Sequence, residues 1–163
     1  MAVGRNSNSR KGARRGGRVE FPPTRSAGYL VRDAHRAFQR LLEQRIAGSG
    51  VTRGQWYFLR VLWSEDGLSQ RELSERVGMM EPTTVIALRS MEKAGLIRRV
   101  RDDEDKRKTQ VWLTPKAKRL RNQLLLVALG INEQAAEGVE RDELTTLRRV
   151  LARMTANLDR LRQ

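Results

Sequence analysis

Residues 101 to 118 read RDDEDKRKTQVWLTPKAK, so four consecutive carboxylates, Asp102, Asp103, Glu104 and Asp105, run straight into three cations, Lys106, Arg107 and Lys108. A carboxylate can hold a neighbouring guanidinium in a two-pronged arrangement, and a cation held that way is ready to meet phosphate. On this reading Asp105 braces Arg107, the other acids cap a turn or stay solvated, and Lys106, Arg107 and Lys108 bind. A solvated loop of mixed charge is the alternative. The adjacent cations argue against a divalent-metal site. The chain has no cysteine and one histidine, His35, which excludes disulfides and thiolate metal centres and leaves little for histidine acid–base chemistry. It carries no nucleophile motif and no P-loop, so neither an enzyme nor a cofactor is expected.

The partner these cations call for is a polyanion. Thirty-three Lys and Arg against 19 Asp and Glu leave a formal charge of +14. No apolar run approaches the ~20 residues of a membrane span, and no strongly basic amphipathic anchor is evident, which favours nucleic acid over membrane and a cytoplasmic protein. An RNA-binding module would expose aromatic residues on a sheet, whereas the aromatics here fall in helical patterns. Residues 1 to 25 hold seven cations against Glu20 alone, with many Gly and Ser and no apolar period. They are expected to form a disordered basic tail. That tail is either a non-specific phosphate clamp, a solubilising leader, or sequence upstream of the true start.

Elements able to position the charged run follow from apolar spacing and punctuation. From Ser26, the recurrence of Leu30, Ala34, Phe38, Leu41, Leu42 and Ile46 predicts a helix that AGSG breaks. A second begins near Thr52, with Trp56, Leu59, Leu62 and Trp63 inward, and stops near Glu65-Asp66-Gly67. Ser69 with Glu72 is a capping box for a short helix to Val77, Gly78 supplies a turn, and Pro82 opens the next helix. There Thr84, Leu88 and Met91 face the core, and Gly95 ends the element. Two short helices across a glycine turn fit a helix-turn-helix, although a lone helical hairpin would read the same. Residues 97–101 and 109–113 are rich in β-formers and predict a hairpin with DDEDKRK at its tip. Thr114 and Pro115 then start a helix carrying Ala117, Leu120, Leu124, Val127 and Ile131, and a last helix carries Leu144, Leu147, Leu151, Met154, Leu158 and Leu161. Both seams are expected to pack against a second subunit, giving a homodimer, with an intramolecular helical hairpin as the alternative.

This order of elements, together with Asp105, Arg107, Leu113 and Thr114 in a D-x-R-x5-L-T pattern and the segments TRGQWYFLRVL and SMEKAGLIRR, resembles the MarR family of winged helix-turn-helix regulators across about residues 28 to 161. The expected fold is mainly α: a winged helix-turn-helix DNA-binding lobe with a small β-hairpin wing, plus N- and C-terminal helices forming a dimerisation region. The segments run 1–25 (tail), 26–50 (N-terminal dimerisation helix), 51–114 (DNA-binding domain) and 115–163 (C-terminal dimerisation helices). The resemblance implies a two-fold dimer that puts one helix per subunit in the major groove and Arg107 in the adjacent minor groove, with Asp105 as its ion-pair partner. Many relatives carry Arg where this chain has Ile86 and where it has Lys106. Base reading is therefore assigned to Thr83, Thr84 and Arg89, with Val85 or Ile86 on thymine methyls, and phosphate contacts to the tail, the wing and the helix ends, with Ser69, Gln70 and Pro82 as further DNA-binding candidates.

The function expected is a DNA-binding transcriptional regulator, by default a repressor, acting as a homodimer on a palindromic operator in double-stranded DNA. The resemblance also implies an effector pocket, for which Tyr29, Arg32, His35, Arg36, Trp56, Tyr57 and Arg60 are the candidates. Rings beside cations suit a planar anion, a small aromatic acid or its thioester. Core packing of Trp56 and solvation of the arginines is the bland reading. The rival function is a ligand-independent architectural DNA-binding protein.

Overall fold

The structure, a computed structural model, describes residues 20–101 and 109–161, and these divide into two units within one helix, between His35 and Arg36. In the first unit a short 3-10 turn, Pro23–Arg25, precedes helix α1, Ala27–Ile46, whose residues up to His35 are all exposed. In the second unit the remainder of α1 contributes Leu42 and Ile46 to the core. The stripe read from Leu30 therefore buries only its C-terminal end, while Leu30 and Phe38 stay exposed.

Helix α2 is Arg53–Leu62, started by a capping box in which the Thr52 hydroxyl accepts from the Gln55 N–H and the Gln55 side chain accepts from the Thr52 N–H. It buries Trp56, Phe58, Leu59 and Leu62. A two-residue strand that the sequence pattern did not reveal, β1 at Leu68–Ser69, leads into helix α3, Gln70–Val77. Gly78, at φ 72°, turns the chain through the left-handed region, which only glycine enters without strain. Helix α4, Glu81–Lys93, follows with Pro82 in its first turn.

Strands β2, Ile97–Arg101, and β3, Thr109–Leu113, pair antiparallel from Ile97↔Leu113 to Arg101↔Thr109, and β1 joins the other edge of β3 through Leu68↔Val111 and Ser69↔Gln110. Inward alternation puts Ile97, Val111 and Leu113 into one core with Leu73, Leu88, Met91 and Leu96. Helix α5, Pro115–Ala135, is capped by Thr114. Its seam does not wait for another subunit: Ala117, Leu124 and Ile131 are buried in that same core, with Leu120 and Val127 packed against it. Helix α6, Arg141–Arg160, buries no residue at all. The expectation of two intermolecular seams is thus corrected for α5, whose apolar stripe is buried in the chain's own core, with its start held by Trp63 Nε1 donating to the Ala117 carbonyl and its far end by Arg45 of α1 donating to Gln134.

Candidate nucleic-acid interface

Helix α4 has two chemically distinct sides. Thr84, Leu88 and Met91, spaced by four and three, are completely buried. Pro82, Thr83, Ile86 and Arg89 are exposed, and Ile86 shows 70% of its surface to solvent. Ile86 thus adds an aliphatic surface to the exposed side that carries Thr83 and Arg89. Val85 is half-buried between the two sides.

The assignment of Thr84 to base reading is corrected. At 0% exposure it cannot reach a groove, and its hydroxyl is engaged: Thr84 Oγ1 donates to Ser74 Oγ at 3.2 Å, and Ser74 Oγ donates to the Met79 carbonyl at 2.6 Å. A buried polar chain of this kind costs stability unless every member is paired, and here it ties α4 to α3 across the turn. At the other end, Gln55 Nε2 donates to Ser90 Oγ at 3.1 Å, holding α4 to α2. Both ends of α4 are therefore fixed by hydrogen bonds, leaving its outer side free to be presented.

Ser69 spends its hydroxyl on the cap of α3. It accepts from the Glu72 N–H and donates to Glu72 Oε2 at 2.6 Å, and Ser69 and Gln70 are both half-buried. Asp105, Lys106, Arg107 and Lys108 lie outside the described residues. The strands that lead to them are described, and they add cations the sequence reading did not single out. On β2, Arg98 and Arg101 are exposed, whereas Arg99 is taken by Glu92, whose Oε2 accepts from Arg99 Nη2 at 2.6 Å and from Nε at 3.0 Å. That bond, with the charge of Arg99, holds the Glu92 carboxyl below its ordinary range against the opposing effect of burial. The signal for Arg98 was the IRRVR alternation, in which inward Ile97 sends its neighbour outward.

The effector candidates fall into both units. In the first, the Arg32 guanidinium lies 4.4 Å from the centre of the Tyr29 ring, and His35 is exposed. In the second, Trp56 is core, 5% exposed, with its ring edge-on to Trp63 at 5.7 Å. Arg60 reaches over it at 5.7 Å, Tyr57 Oη accepts from Gln39 Nε2 at 3.1 Å, and Arg36 is exposed. Trp56 is therefore a packing residue whose face supports Arg60. Among the described residues no group of His, Cys, Asp and Glu could hold a metal, and no helix is long and apolar enough to cross a membrane.

A three-stranded antiparallel sheet behind a helix-turn-helix, with a hairpin beside the second helix, defines a winged helix-turn-helix protein. The family model described as "MarR family" matches residues 49–108. The chain is 33% identical over 96 residues to the HTH-type transcriptional regulator TtmR of Methylorubrum extorquens (strain PA1), covering 59% of this chain and 49% of that protein, so the match spans about half the relative's length. It superimposes on a MarR transcriptional regulator from Methanosarcina mazei Go1 with a TM-score of 0.77 and 27% identity, over 82% of this chain and 96% of that one. A probable transcriptional regulator from Pseudomonas aeruginosa gives a TM-score of 0.72 and 31% identity, over 79% and 96%. The chain belongs to the MarR family of winged helix-turn-helix transcriptional regulators.

Proposed function

We propose that this regulator binds a palindromic operator as a homodimer, reads it with α4, and represses transcription until a small anionic ligand releases it. One observation carries the reading: the outer side of α4 presents Thr83, Ile86 and Arg89 to solvent while hydrogen bonds pin both its ends. Arg89 is suited to guanine, Thr83 to a base edge, and Ile86 to a thymine methyl. Pro82, Ser69 and Gln70 stand at helix starts, where backbone amides favour phosphate oxygens. Lys106, Arg107 and Lys108 belong to the wing that follows β2, with Arg107 in a narrow minor groove and Asp105 as its brace.

In this reading, residues 51–114 form the DNA-binding lobe and residues 26–50 with 115–163 form the dimerisation region. The support for a dimer is α6, which buries no residue and leaves Leu147, Leu151 and Leu158 exposed. A dimer axis would repeat the α4 contact about 34 Å further along the duplex. Selection from random duplexes tests this. The expected result is an inverted repeat with half-sites about one helical turn apart, bound steeply less at high salt. An architectural binder would instead recover no preferred sequence. Arg107→Ala should weaken operator binding strongly and leave the dimer intact. The effector part rests on Arg60 over Trp56 in the second unit, an exposed guanidinium backed by a ring and suited to a planar carboxylate; Arg32 over Tyr29 in the first unit is a separate pair of the same kind. Calorimetry against aromatic acids and their thioesters, with operator release as a second readout, tests it. Heat and release are expected together, and a panel with neither removes the effector from the scheme.

A further inference from the structure

Asp66 lies between α2 and β1, and its carboxylate reaches three elements. Oδ1 accepts from the Leu113 N–H at 2.7 Å, at the end of β3, and from the Gly67 N–H at 3.2 Å. Oδ2 is buried, and Lys118 Nζ of α5 stands 3.0 Å away, a charge contact out of line for a hydrogen bond. With only two residues, β1 pairs with β3 at Val111 and Gln110 and stops short of Leu113. The carboxylate supplies the next rung of that ladder. Its neighbours tighten the same joint. The Gly67 N–H donates to the Val111 carbonyl at 3.1 Å, and the Trp112 ring lies so close over Gly67 that a Cβ there would be 2.5 Å from it. Trp63 Nε1 donates to the Ala117 carbonyl at 3.1 Å, so the start of α5 is held to the end of α2 as well.

We propose that Asp66 is a positioning residue for DNA binding: by fastening the end of β3 to the loop after α2 and to α5, it sets the direction in which the wing hairpin projects. The inference rests on the DNA-binding reading given above. Asp66 acts through Leu113 and β3 and needs no contact with DNA. A strand pinned at its root carries any displacement to its far end, so a small angular error at Leu113 moves the wing cations out of register with the groove.

The test is a footprint combined with a double-mutant cycle on the full chain. In Asp66→Ala, operator affinity should fall about tenfold or more, and the unpaired Leu113 N–H should separately lower the urea midpoint. Hydroxyl-radical protection in the flanking minor groove should disappear while guanine N7 protection in the major groove persists. In an Arg107→Ala background the same substitution should change affinity less than about twofold, because residues acting through one wing are not additive. An equal loss in both backgrounds would mean general destabilisation and would overturn the proposal, as would unchanged affinity. Asp66→Asn keeps an acceptor for Leu113 but loses the charge facing Lys118, and it carries the same measurements, with a smaller loss, should the alanine variant fail to fold. A wild-type chain that leaves no footprint on any selected sequence would instead remove the DNA-binding reading itself.

Discussion

Replacing Thr84 by valine separates a residue that holds the reading helix from one that reads. The side chain is completely buried and donates to Ser74 Oγ at 3.2 Å, while Ser74 keeps its own bond to the Met79 carbonyl. Valine has nearly the same shape, so no cavity opens. The cost is one neutral hydrogen bond, about 0.5–1.5 kcal/mol. The added methyl in an apolar site offsets at most about 0.8 kcal/mol of this. The net destabilisation should be at most about 1.5 kcal/mol, and at most about 0.7 kcal/mol with the full offset, read as the shift of the urea midpoint at an unchanged slope. Ser74→Ala should cost more, because it also strips the donor from Met79, and the double variant should cost less than the sum of the two. Neither change should alter which base pairs are preferred in a sequence selection. By contrast, Thr83→Ala should change preference without changing the urea midpoint. If Thr84→Val unfolds with wild-type stability yet shifts the preferred base at one position, the buried placement of this hydroxyl is wrong, and with it the account of how α4 is held.

Gly67→Ala places a side chain at φ +80°, costing about 1–2 kcal/mol, and drives it into Trp112, adding about 1–3 kcal/mol of overpacking. Thermal unfolding should show a clear loss, partly recovered by Trp112→Ala. Leu151→Asp with Leu158→Asp should leave the fold of the single chain intact, because both leucines are already exposed, Leu158 by 61%. Sedimentation should then find monomers and a gel shift should find no operator complex, whereas an intact dimer would exclude α6 from the interface. The Glu92 carboxyl is lowered by Arg99, so the pair stabilises the fold above the ordinary carboxylate range and that contribution is lost as pH falls through the lowered value. With Glu92 39% exposed the effect should stay below about 1 kcal/mol, and Glu92→Gln should flatten that limb of the urea-midpoint-against-pH curve.

Local chemistry determined the elements. Ser69 with Glu72, Gly78, Pro82, and Thr114 with Pro115 act through hydrogen bonds and dihedral limits spanning a few residues, and α3, the turn, α4 and α5 begin and end where those residues stand. The β-rich stretches 97–101 and 109–113 mark β2 and β3, whose register is fixed by their pairing from Ile97↔Leu113 to Arg101↔Thr109. The two-residue β1 left no periodic trace, because two residues cannot show alternation, and it exists through its pairing with β3.

Tertiary structure decided which apolar and polar groups are spent inside the chain. The seams of α5 and α6 look alike in sequence, yet Leu124 and Ile131 fill the core while Leu147 and Leu158 remain bare, since only α5 starts directly from the central strand of the sheet. Thr83 and Thr84 are identical in type, and the helical rotation between them buries one and exposes the other. Spacing names the faces of a helix. Which face meets the core, and therefore which residues are left for DNA, depends on what the rest of the chain packs against it.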